Sequence, residues 1–143
     1  MKATLPRLAA KCIGLSVLVG PPITGLTFLF SQFSFPTALG IENEVAVASF
    51  VYVVRGYAEF WPAAALNGIF IAVALSYANK KSASFPYSAR SFRLAAGAIV
   101  GAIGGSMSTS VFSFANIPVL WAGTLAGAIC GVLCFLLLAK GAA

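Results

Sequence analysis

Apolar residues fall in four long runs along this chain, and polar residues collect in the gaps between them. Leu8 to Phe30 forms the first run; Phe92 to Ser113 and Ile117 to Ala139 form the third and fourth. Each is close to the roughly 20 residues that a helix needs to cross a bilayer core. Between Val45 and Tyr77 the apolar residues continue for too long to make one span and too briefly to make two. The cluster Arg55, Gly56, Tyr57, Glu59, Phe60, Trp61, Pro62 divides this stretch. Aromatic rings gather at headgroup depth, and proline is tolerated in a first helical turn, where its missing N–H would be unpaired anyway. Val45 to Val54 follows neither a period of 2 nor one of 3.6. It is predicted as a short interfacial segment that lies along the membrane surface or dips into it. A tight turn, Phe114-Ala115-Asn116, joins the last two runs ahead of Pro118. The pattern predicts an all-α integral membrane protein with four transmembrane helices. They form a single domain over residues 1–143, with spans at about 8–30, 58–79, 92–113 and 117–139 and an interfacial segment at about 45–54.

Composition agrees: the 143 residues are 60% hydrophobic and 8% charged, and the mean hydropathy of +0.98 leaves too little polar surface to clothe a water-soluble fold. The few charges are segregated by sign. Lys2, Arg7, Lys11, Lys80, Lys81, Arg90, Arg93 and Lys140 lie before the first span, between the second and third, or after the fourth. Glu42, Glu44 and Glu59 all lie between the first and second, with Arg55 the only base among them. The positive-inside rule then puts both termini and the 80–93 loop on the cytoplasmic or matrix-type face. The net charge of +6 would suggest nucleic acid in a soluble protein. Here the bases flank spans and are not interleaved with stacking aromatics, so the expected partner is the lipid bilayer, with anionic lipids at the basic face, and no nucleic acid. The run Cys12 to Gly20 imitates a secretory signal. No small-x-small cleavage site follows it and the apolar stretch continues through Pro21 and Pro22, which predicts a retained span. A basic, acid-free N-terminus suits a mitochondrial or a bacterial inner membrane equally.

Within the spans, two glycine ladders stand out. Gly97, Gly101 and Gly105 recur every four residues in the third span, as do Gly123, Gly127 and Gly131 in the fourth. Residues four apart share a helix face, and glycine removes the side chain that would hold two backbones apart. Two grooved faces joined by a short turn are expected to meet in an antiparallel hairpin; the alternative use of such faces is self-association or a partner subunit. Pro21 and Pro22, among Gly14, Gly20 and Gly25, break backbone hydrogen bonds at mid-membrane, and a kink satisfied by neighbouring helices is expected. Ser106, Ser108, Thr109, Ser110 and Ser113 either bond back to their own helix or line a polar path. Asn67 is costly to bury and is expected to find a Ser or Thr of another span. Arg55 and Glu59, four apart, form a local pair near headgroup level if helical. On a transport reading, Asn67, Glu59, Ser108 and Thr109 are the candidate ion path.

Catalytic chemistry has little to stand on. The chain has no His and no Asp, and so lacks the usual general base, the usual metal ligand and a carboxylate pair at depth. Cys12, Cys130 and Cys134 read as small buried apolar residues. No enzyme activity, metal or cofactor is expected.

Two families are similar. The apolar span from Ala63, the basic loop ANKKSASFPYSARSFR and the following AAGAIVGAIGG resemble the Tim17/Tim22/Tim23 group of mitochondrial import proteins, which includes an accessory subunit of a respiratory complex. That resemblance implies a structural or assembly role and transfers no catalytic residue. ALNGIF in span two and GAIGGSMSTSVFSF in span three are similar to the small four-span fluoride-channel family, which would make Asn67, Ser108, Thr109, Phe112 and Phe114 pore candidates. The expected function is a non-catalytic structural or accessory subunit of a larger inner-membrane complex, of respiratory-chain or translocase type. The alternatives are a small oligomeric ion channel or transporter and an immunity or exclusion protein that binds another membrane protein.

Overall fold

The computed structural model describes residues 5–32, 42–80, 90–112 and 117–138, and all of them are helical. The helices are α1 (Leu5–Gln32), α2 (Glu42–Lys80), α3 (Arg90–Phe112) and α4 (Ile117–Leu138). Each contains a segment long and apolar enough to cross a membrane, and the chain is an all-α integral membrane protein. Helix is the form such runs must take in lipid, because every backbone N–H and C=O is then satisfied within the segment. The turn at 114–116, the loop at 81–89, Ser113 and Lys140 lie outside the described residues.

One boundary differs from the sequence reading. Val45 to Val54 is not a separate element: α2 runs unbroken for 39 residues, about 58 Å at 1.5 Å per residue. The Arg55 to Pro62 cluster lies inside it, with Pro62 as an interior residue. The physical reason is tertiary. Gly56 and Gly25 bring α2 against α1 so closely that a Cβ on either would strike the other helix's backbone, at Pro21 and Tyr52 respectively. This contact holds the N-terminal half of α2 in line with the rest.

The four helices form two antiparallel hairpins, α1 with α2 and α3 with α4, set side by side so that α1 also packs on α4 and α2 on α3. Of the diagonals, α2 and α4 touch. Large side chains fill the core at the end nearest the basic segments, where Leu8, Ile71, Leu75 and Phe135 cluster with Cys12, Ala72, Cys130 and Cys134. Along the bundle the helices meet mostly through small residues at four-residue spacing. The buried columns are Cys12-Ser16-Gly20-Thr24 on α1, Gly97-Gly101-Gly105-Thr109 on α3 and, on adjoining faces of α4, Ala122-Ala126-Cys130-Cys134 and Gly123-Gly127-Gly131-Phe135. Two columns on one helix let α4 serve α3 and α1 at once.

Candidate functional site

The α3–α4 seam is built around backbone-to-backbone contact. Gly97 faces Gly131, Gly101 faces Gly127 and Gly105 faces Gly123; a Cβ at Gly97 would lie 2.7 Å from the Gly131 carbonyl oxygen, and one at Gly127 would lie 2.7 Å from the Gly105 Cα. Thr109 continues the ladder, its hydroxyl against Gly123. One further hydroxyl pair crosses the seam: Ser106 Oγ and Thr124 Oγ1 are 2.6 Å apart. Each also lies within reach of its own helix, at 2.9 Å from Ala102 O and 2.7 Å from Leu120 O. Each hydroxyl has a single proton, so one residue donates across the seam and the other back to its carbonyl.

Two further hydroxyls of α3 follow the local reading. Thr109 donates to Gly105 O at 2.7 Å and Ser110 to Ser106 O at 2.7 Å, the back-bonding that Ser and Thr favour inside helices. Pro22 of α1 also has its compensation. In an α-helix the N–H of residue 22 would bond Leu18 O, and Pro22 has none. Tyr57 of α2 supplies the missing donor, its hydroxyl 2.6 Å from Leu18 O.

At the centre, where the two hairpins face each other, a cavity of about 20 Å³ is lined by Ser16, Gly20 and Thr24 of α1, by Phe60, Ala63, Ala64 and Asn67 of α2, by Gly105 and Thr109 of α3 and by small residues of α4 ending at Cys130. Asn67 is 4% exposed and Ser16 fully buried, and neither Asn67 Oδ1 nor Ser16 Oγ has a hydrogen-bond partner among the described residues. The expected Ser or Thr partner for Asn67 is therefore not found. The reason is the neighbour it packs on: Asn67 Oδ1 occupies the space beside Gly104 of α3, 2.5 Å from where a Cβ would sit. Ser16 lies beside the Cys130 thiol, though without hydrogen-bonding geometry to it.

Of the four candidate path residues, the structure brings Asn67 and Thr109 to this cavity. Ser108 is fully buried, its hydroxyl also unpartnered among the described residues, but it does not line the cavity. Glu59 stands apart. It pairs with Arg55 (Nε to Oε1, 2.6 Å) on the outer surface of α2 and borders a second cavity of about 60 Å³ with Gly25, Tyr52, Arg55, Gly56, Phe60 and Val119. Both partners are about half exposed, so the pair contributes little to stability. Phe112 is exposed, and Phe114 lies outside the described residues. The sequence reading missed Ser16 and Thr24. Their signal was the four-residue spacing of Cys12, Ser16, Gly20 and Thr24, a ladder of small residues less conspicuous than one of glycine alone.

Among the described residues no group of three or more His, Cys, Asp or Glu side chains is placed to hold a metal. The chain matches no family model, no curated protein and no solved structure.

Proposed function

We propose that the chain is a non-catalytic structural or accessory subunit of a larger inner-membrane complex, with both termini on the positive side. The observation that carries this reading is the length of α2 and what it exposes. Tyr77 and Trp61 are exposed aromatics sixteen residues apart on α2, about 24 Å along the axis, a spacing suited to the two aromatic belts of one bilayer. Trp121, 71% exposed near the start of α4, belongs at the same level as Trp61. Phe50 lies eleven residues beyond Trp61, about 16 Å further along α2. There Phe50 is 70% exposed, with Val51 and Val54 exposed beside it. An apolar face carried past the hydrocarbon region calls for cover by protein. The hydroxyls of Thr24, Tyr57, Ser106, Thr109 and Thr124 are meanwhile spent on joints within and between the helices, in keeping with the assembly role that the sequence resemblance implies.

A benzophenone amino acid placed at Phe50 in native membranes tests this. Cross-linking to a distinct polypeptide is expected; cross-links to lipid alone, or to another copy of this chain, contradict the accessory reading. The central cavity favours a second reading, a small ion channel, because Asn67 and Thr109 meet there. On that reading purified protein in liposomes conducts an ion, and Asn67→Leu abolishes flux while the protein remains folded.

A further inference from the structure

We propose that the central cavity is a water site, holding one ordered water molecule hydrogen-bonded between Ser16 of α1 and Asn67 of α2 and so joining helices through a polar contact at mid-membrane. The geometry puts the two side chains at one level. Gly68 packs on Ile13 and on the Cys12 carbonyl, while Gly20 packs on Ala64; Ser16, midway between Cys12 and Gly20, therefore falls level with residues 64–68 of α2. Both side chains line the cavity, and both oxygens are buried without a partner among the described residues.

The size of the cavity, about 20 Å³, is room for a single water, which needs roughly 10–15 Å³ and two to four polar partners. The chemistry of the lining selects the occupant. The Asn67 amide offers an acceptor oxygen, which has no partner among the described residues, and an N–H donor. Thr24 and Thr109 have committed their protons to Gly20 O at 3.0 Å and Gly105 O at 2.7 Å, so each offers a lone pair and no donor. Ser16 has an uncommitted hydroxyl that can donate or accept. The site thus asks for a small molecule that donates at least one hydrogen bond and can accept one, which water does. A bare cation would also find acceptors, but no Asp, Glu, Lys or Arg among the described residues lines the cavity, and an ion in so low a dielectric is costly without a counter-charge. Leaving Asn67 and Ser16 both unpaired would cost each its full desolvation penalty; one water removes both.

The cavity carries its own reporter. Cys130 lines it, whereas Cys12 and Cys134 are equally buried away from it. Brief X-ray irradiation of the full chain in lipid nanodiscs splits bound water into hydroxyl radicals that oxidise neighbouring side chains, read residue by residue by mass spectrometry. Oxidation of Cys130 is expected at several times the rate of Cys134, falling to the Cys134 rate in Asn67→Leu. Equal rates at the two thiols in the parent protein would overturn the proposal, and this comparison needs no variant. Thermal unfolding in sodium chloride against choline chloride separates the remaining occupant: equal midpoints are expected for water, and a rise of several degrees specific to sodium would show a cation site instead.

Discussion

Two glycines show how differently the same residue type can be used. A Cβ at Gly14 would meet nothing within 4 Å, whereas one at Gly101 would strike the Gly127 carbonyl, which is backbone and cannot turn aside. Gly14→Ala is therefore expected to stabilise the protein by about 0.5–1 kcal/mol, the usual gain in a helix interior. Gly101→Ala is expected to destabilise it by about 1–3 kcal/mol, the range for overpacking a tight contact. Reversible unfolding of both variants in one detergent would measure the difference, and similar effects for the two would contradict the seam. The four-residue spacing in the sequence was enough to put each ladder on one face. It could not say that Gly104, one residue off the ladder, opens the space taken by Asn67. That depends on which side of α3 meets α2, a tertiary fact without a local signal. The same limit explains Asn67, for which burial was legible and the absence of a Ser or Thr partner was not.

At the scale of helices, the compensation between Tyr57 and Pro22 makes a prediction of its own. Tyr57→Phe leaves Leu18 O without its donor and is expected to cost about 1 kcal/mol. Pro22→Ala restores an N–H that can bond Leu18 O within α1, so in that background Tyr57→Phe should cost almost nothing beyond lost packing. A double-mutant cycle in unfolding free energy reads this directly; strict additivity would mean that the hydroxyl does not serve the carbonyl. The spans themselves were legible from hydropathy, because in lipid length and apolarity alone nearly dictate helix. The division of α2 was not, since proline and a charged pair look alike in sequence whether they start a helix or sit inside one. What keeps α2 continuous is close packing on α1 through Gly25 and Gly56, a contact between residues far apart in the chain.

For the whole molecule, the proposed topology has both ends of the chain on one side, which the positive-inside rule makes the cytoplasmic or matrix-type face. Single cysteines at Ala83 and at Ala142, in a background with Cys12, Cys130 and Cys134 replaced by alanine or serine, are expected to react with a membrane-impermeant maleimide from the same face. One at Thr37 should react only from the other. Labelling of Ala83 and Thr37 positions from a common face would overturn the topology. Whether this bundle is a part of something larger is decided by gentle detergent extraction from native membranes, followed by native gel separation and mass spectrometry of the band that contains the chain. Co-migration with a large complex in fixed stoichiometry is the predicted result; migration alone, or as a small homo-oligomer, would contradict it.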